Sequence, residues 1–140
     1  MNHSQLTNIL LDQSKDLFWM VNLDFQLVYA NKTYLTLMKE ITGVEKKLND
    51  SVLVEGFGDG SIEKWKSYYS SAFTGEYIEI ETKFFHPQSN EIQHSQVTFT
   101  PLIDDDNKLF AVACQSKDIT QIVKQRSEAN QLIDSPLDVF

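Results

Sequence analysis

The sequence predicts an α+β fold: an antiparallel sheet with helices across one face and a further helix at each end of the chain. Three observations carry that expectation. Tyr77 to Phe85, Ile92 to Leu102 and Leu109 to Lys117 are rich in β-branched and aromatic residues. They are separated only by turn formers, His86-Pro87-Gln88-Ser89-Asn90 and Asp104-Asp105-Asp106-Asn107. Strands joined by links this short pair antiparallel. An earlier pair of strand-like runs is followed by segments whose apolar residues recur at helical spacing. Finally, 140 residues with 41% hydrophobic and 23% charged composition suit one globular domain with a real core.

Residues 4 to 15 read as a short helix, because Leu6, Ile9, Leu10 and Gln13 recur at three- and four-residue spacing behind Ser4 as a cap. Leu17 to Leu23 and Gln26 to Ala30 read as a hairpin around Asp24-Phe25. Asn31 is placed to cap a following helix whose stripe is Tyr34, Leu35, Leu37, Met38 and Ile41 and whose stop is Gly43. From Val44 to Gly60 the pattern weakens into loop with Gly56, Gly58 and Gly60. Ile62, Trp65, Tyr69, Ala72 and Phe73 then share one helix face, stopped at Gly75. After the three strands, Ile119, Ile122, Ala129 and Ile133 occupy the apolar positions of a heptad, with polar Arg126 at one of them. An antiparallel sheet with helices on one face is the simplest packing of this order.

The charge balance excludes some functions. A net charge of −8 with scattered basic residues leaves no stripe to neutralise phosphates, so neither nucleic acid nor a membrane surface is an expected partner. No apolar run approaches the roughly 20 residues of a membrane helix, the first residues lack signal-peptide features, and the single Cys114 forms no internal disulfide. A cytoplasmic setting is expected. Catalysis finds little support. Gly56-Phe57-Gly58-Asp59-Gly60 lacks the strand and Lys of a phosphate loop. His3, His86 and His94 have no partners at metal-ligand spacing, so no metal site is expected, and Cys114 reads as a buried strand residue, not a nucleophile.

Four landmarks occur in order along the chain: Asn22-Leu23-Asp24-Phe25-Gln26-Leu27-Val28-Tyr29-Ala30-Asn31-Lys32-Thr33-Tyr34, Ala72-Phe73-Thr74-Gly75-Glu76, Thr100-Pro101-Leu102-Ile103-Asp104 and Lys117-Asp118-Ile119-Thr120. With these the chain resembles the PAS sensory domains found in tandem in bacterial sensor histidine kinases. The resemblance implies a five-stranded antiparallel sheet whose concave face holds the helices and, in many members, a small ligand. It also implies neighbouring PAS and kinase domains in a parent protein. Two cofactors are argued against. The LOV subgroup forms its flavin adduct on an Asn-Cys-Arg segment, and Val44 to Trp65 contains no Cys; heme-binding members place a His on the helix that here runs from Ile62 to Phe73, which has none. The cofactor, if any, stays unidentified. Phe25 stands where many members carry Gly.

Strand alternation turns Ser95, Val97 and Phe99, and Phe110, Val112, Cys114 and Ser116, toward the helices. The resemblance adds Trp19, Val21, Tyr34, Leu35, Trp65 and Tyr69 to that wall. Either a ligand cavity or a core filled by its own aromatics satisfies this pattern. Asp118 and Thr120 have short polar side chains suited to capping the last helix, and the resemblance makes their junction the signal relay. The stripes Leu6, Ile9, Leu10 and Ile119, Ile122, Ala129, Ile133 need a covering surface, so a homodimer is expected. Asn130, Leu132, Asp134, Asp138 and Phe140 repeat Asn8, Leu10, Asp12, Asp16 and Phe18 at constant offset, as though a second copy were beginning. The expected organisation is a flanking helix over 1–16, the sensory domain over 17–118, an exit helix over 119–134 and a second copy from 135–140. The function expected is that of a regulatory module, not an enzyme. Its alternatives are a ligand-free dimerisation or spacer module, or a PAS domain of another signalling protein such as a cyclic-dinucleotide enzyme.

Overall fold

A computed structural model of the chain describes residues 2–54, 62–86 and 88–133, with side chains to residue 130. Its elements run α1 (His3–Gln13), β1 (Leu17–Asn22), β2 (Leu27–Ala30), α2 (Lys32–Thr42), α3 (Ile62–Phe73), β3 (Ile78–His86), β4 (Glu91–Ile103), β5 (Leu109–Asp118) and α4 (Thr120–Ile133). The five strands form one antiparallel sheet in the order β2-β1-β5-β4-β3. The first and last strands are thus joined at the centre, where Leu17 lies opposite Ser116 and Val21 opposite Val112. The start of the domain and its exit meet on neighbouring strands.

The capping chemistry explains where the helices begin and end. Asn2, not Ser4, caps α1 through a reciprocal pair in which the Gln5 amide donates to Asn2 Oδ1 and the Asn2 amide to Gln5 Oε1, both at 2.9 Å. The Tyr34 amide donates to Asn31 Oδ1 at 3.0 Å, and α2 ends on Gly43 at φ 74°, as the sequence predicts. Gly75, at φ 96°, follows α3 in the same manner.

Phe25 adopts φ 60° in the β1–β2 turn, a backbone region that suits glycine. Two interactions hold it there. Asn22 Oδ1 accepts from the amides of Asp24 (2.9 Å) and Gln26 (3.0 Å), which tightens the turn. The Phe25 ring meanwhile rests 5.3 Å from Phe73 and 6.3 Å from Tyr69, so packing offsets backbone strain. The segment after α2 closes the β2 edge: the Leu27 amide donates to the Asp50 carbonyl, the Asn49 amide to that of Leu27 and the Val52 amide to that of Phe25. Gly56, Gly58 and Gly60 lie outside the described residues, as does the repeat from Asp134 onward.

Helices α2 and α3 cover the sheet face formed by Trp19, Val21, Val97, Phe99, Val112 and Cys114. Phe110, expected on this face with Val112, is instead 49% exposed. The pairing shifts between Leu102 and Ile103, so Ile103 faces Leu109 and the alternation of β5 is broken at its start; Ala111 is buried instead.

One buried side chain ties the first elements together. The Asn31 carbonyl oxygen also accepts from the Phe18 amide (3.1 Å), and its Nδ2 donates to the carbonyls of Leu11 (2.7 Å) and Asp16 (3.0 Å). Asn31→Ala strands the Phe18 and Tyr34 amides and the Asp16 carbonyl, while the Leu11 carbonyl keeps the Ser14 amide, so urea unfolding should show a loss of about 2–4 kcal/mol at unchanged slope. Asn31→Asp should also destabilise, because a carboxylate accepts the two amides but cannot donate to the two carbonyls. A midpoint like that of the wild type for Asn31→Ala would contradict this assignment.

Candidate functional site

The sheet and the two inner helices bring nearly all of the predicted wall together. Trp19, Val21, Tyr34, Trp65, Tyr69, Ser95, Val97, Phe99, Val112, Cys114 and Ser116 are all buried. Leu35 is the exception. It lies half-buried at the margin of the core near Tyr29 and Lys46, because on α2 the residues four apart, Tyr34 and Met38, take the inner face. Met38, Val52 and Val54 complete the wall, and the weak pattern after Gly43 gave no signal for the last two.

The aromatic side chains form one connected stack. The Trp19 indole N–H donates to the Tyr69 hydroxyl at 2.9 Å, and Trp19 stacks on Tyr34 with ring centres 5.0 Å apart and planes inclined by 28°. Tyr69 meets Phe99 edge-on at 5.3 Å, and Trp65 sits 6.0 Å from Phe99. Such pairs add about 0.5–1.5 kcal/mol each beyond the area they bury. What they leave is small: the space bounded by Tyr34, Met38, Val52, Val54, Trp65 and Tyr69 measures about 20 Å³, room for one water. Among the described residues the core is filled by its own rings.

The chemistry of this compartment is neutral. Among the described residues no charged one is buried, and the buried polar ones are Asn31, Ser95 and Ser116. Burial pushes the Tyr34 and Tyr69 hydroxyls and the Cys114 thiol upward, with the Trp19 hydrogen bond pulling weakly the other way on Tyr69. A thiol held in its protonated form is no nucleophile. The Ser95 hydroxyl has no hydrogen-bond partner among the described residues, although Ser95 is only 2% exposed.

At the exit of the sheet, Asp118 Oδ1 accepts from the Thr120 amide (2.9 Å) and hydroxyl (2.6 Å), and Thr120 Oγ1 accepts from the His94 amide (3.0 Å). The Ile119 amide donates to the His94 carbonyl at 2.8 Å. The start of α4 is therefore fastened to β4. Asp118 joins two functions in one oxygen: it satisfies the first helical amide and orients the hydroxyl that receives β4. At the same end of the sheet, just before β1, Asp16 Oδ2 accepts from Gln115 Nε2 of β5 at 3.0 Å. Ser14 and Asp12 complete the attachment of this strap, the Ser14 carbonyl accepting from Thr33 Oγ1 (2.6 Å) and Asp12 Oδ1 from the Lys32 amide (2.8 Å). These long-range bonds had no sequence signal beyond the residue types.

The predicted interface residues divide. Leu6 (52%), Ile9 (43%), Leu10 (72%) and Ile122 (41%) are exposed, as is Ala129. Ile119, between β5 and α4, is 4% exposed, so its side chain is already covered within one chain. The side chain of Ile133 is outside the described residues. Arg126, polar in the heptad, contacts Glu81 of β3 at 2.8 Å and leans α4 on the sheet.

A family profile described as the PAS fold matches residues 11–124. No curated protein matches the chain. Among solved structures, the chain is similar to a PAS domain from Colwellia psychrerythraea, at 17% identity and TM-score 0.61 over 86% of this chain and 99% of that one. It is similar to a sensory box sensor histidine kinase from Vibrio cholerae at 20% identity and TM-score 0.57, covering 84% and 89%. A third similarity, to the Vibrio cholerae VqmA dimer, has 17% identity and TM-score 0.65 and covers 87% of this chain but 53% of that one.

The neutral core makes stability fall in alkali. The folded forms of Tyr34, Tyr69 and Cys114 hold their protons to higher pH than the unfolded chain does. Their contribution is thus fully present below about pH 8.5 and lost as the pH rises past the unfolded thiol and phenol values near 8.5 and 10. Urea midpoints should decline steadily from about pH 8 to about pH 11, and a flat profile would contradict the assignment. Tyr69→Phe leaves the Trp19 N–H buried and unpaired and should cost about 1–3 kcal/mol at neutral pH.

Proposed function

We propose, from the premise that the chain belongs to the PAS family, that it serves as the regulatory sensory module of a larger signalling protein and transmits through α4. The output domain most in keeping with it is a histidine kinase, beside which a second PAS copy would stand. The observation that carries this reading is the pair of polar fastenings at one end of the central strands, where β1 begins and β5 ends. The strap before β1 is bonded to β5 through Asp16 and Gln115, and the start of α4 is bonded to β4 through Asp118, Thr120 and His94. Both attachments depend on a few exposed or half-buried hydrogen bonds outside the core, which open at lower free energy than the aromatic core. A shift of the sheet therefore biases the exit helix between docked and released arrangements.

The similarity to a sensor histidine kinase supports the choice of output. The dimer named for VqmA supports association of two copies, with Leu6, Ile9 and Leu10 of α1 and Ile122 of α4 as the exposed apolar contribution from this chain. VqmA is also named for DNA binding; this chain spans about half of that one, and its net charge of −8 favours a protein output over a nucleic acid. The filled core favours a second form of the reading, a ligand-free dimerisation and spacing module. Native mass spectrometry separates the two: a co-purified small molecule supports sensing in the core, and apo protein supports the spacer.

Asp118→Ala should cost roughly 1 kcal/mol in thermal or urea melts, the worth of a lost cap, and should change output in the full-length protein beyond what that loss explains. Normal stability together with a normal signal response would remove the relay role. Ile122→Asp should shift sedimentation toward monomer with little change in the far-ultraviolet spectrum. A wild-type protein that is monomeric at high micromolar concentration would overturn the dimer for this chain.

A further inference from the structure

The two edges of the sheet are finished differently. Outside β2, the segment from Asn49 to Val52 bonds to the backbone of Phe25 and Leu27. Outside β3, no described backbone group bonds to residues 78–85 except through β4. The β3–β4 ladder runs through nine consecutive residues of β3, Ile78 to His86, without a register shift, and β3 contains no proline. An edge that is long, regular and free of bulges is a template for another strand.

The usual guard on such an edge is charge, and the charges of β3 are of both signs. Ile78, Ile80 and Thr82 lie opposite Phe99, Val97 and Ser95 and so share the inner face with Phe84, while Glu79, Glu81, Lys83 and Phe85 are exposed on the outer face. The Lys83 ammonium makes no ion pair or hydrogen bond among the described residues. A two-fold axis normal to the sheet would keep both sets of helices on one side and set residues of the same face opposite one another. With that axis at Thr82, each Glu81 faces Lys83 of the second copy and each Ile80 faces its Phe84, both favourable cross-strand pairs. With the axis at Glu81 or at Lys83, that charge meets its own copy; at Ile80, Glu79 meets Glu81. The edge is self-complementary about Thr82.

We propose that the β3 edge is a pairing surface for a second copy of this chain, joined antiparallel about Thr82 so that the two five-stranded sheets become continuous. This contact is separate from the apolar stripes of α1 and α4. Glu81 already holds Arg126 of α4 at 2.8 Å. Lys83 of the second copy would share that carboxylate, so pairing at the edge reaches the exit helix.

The test is a dilution series of the isotope-labelled Ile122→Asp chain, which lacks the helical contact between copies, with amide shifts followed from about 1 mM downward. Concentration-dependent shifts centred on Ile78 to Phe85 are expected. Lys83→Glu sets like charges opposite each other at both symmetric positions and should weaken this association roughly tenfold, and adding Glu81→Lys should restore it to within about threefold. The double exchange also removes the partner of Arg126, so a recovery belongs to the edge and not to α4. The helical contact is read separately, from the sedimentation of the wild type against Ile122→Asp. Shifts absent at the highest concentration, shifts centred on another element, or a double variant no tighter than Lys83→Glu would overturn the proposal.

Discussion

The side-chain amide of Asn31 is the constraint on which the other contacts depend. It is fully buried, and both halves are satisfied: the oxygen by the amides of Phe18 and Tyr34, the nitrogen by the carbonyls of Leu11 and Asp16. Only a side chain with a donor and an acceptor at that length can do all of this. By fixing the first turn of α2 against the first residues of β1, it places Tyr34 over Trp19. Trp19 in turn holds the Tyr69 hydroxyl, and Tyr69 positions α3 on Phe99. The order of the core follows from one polar group at its edge.

That arrangement explains why much of the fold was legible from the sequence and why some was not. Alternation along β4 identified Ser95, Val97 and Phe99 as inward because the strand is regular there, and local capping identified Asn31 and Gly43. Phe110 escaped because a register shift breaks the alternation, a feature set by pairing and not by the strand's own residues. Ile119 fits a heptad by spacing, yet it stands at the junction between β5 and α4 and is buried there. The donor half of Asn31 reaches carbonyls 20 and 15 residues away, and nothing local in a sequence announces such a bond. The wall of the core was recovered almost whole; its filling was not, because the volume left between aromatic rings depends on their rotamers.

A core this filled and neutral bears on how a PAS domain of this kind receives its input. A charged molecule would have no buried partner there, and desolvating it would cost several kcal/mol. Charge is available instead at the rim, where the strap, α2 and the end of β5 come together. The polar groups that hold the strap and α4 to the sheet lie at the same rim, outside the aromatic stack.

The central claim of this account is that the strap and the exit helix are coupled through the central strands. Hydrogen exchange at the Ile119 and Val123 amides, compared between wild type and Gln115→Ala, tests it most directly. Gln115 bonds Asp16 but makes no bond to the exit helix among the described residues. The account predicts that losing the Asp16 bond speeds exchange at both amides. Faster exchange confined to the strap and its neighbours, with Ile119 and Val123 protected as in the wild type, would contradict it.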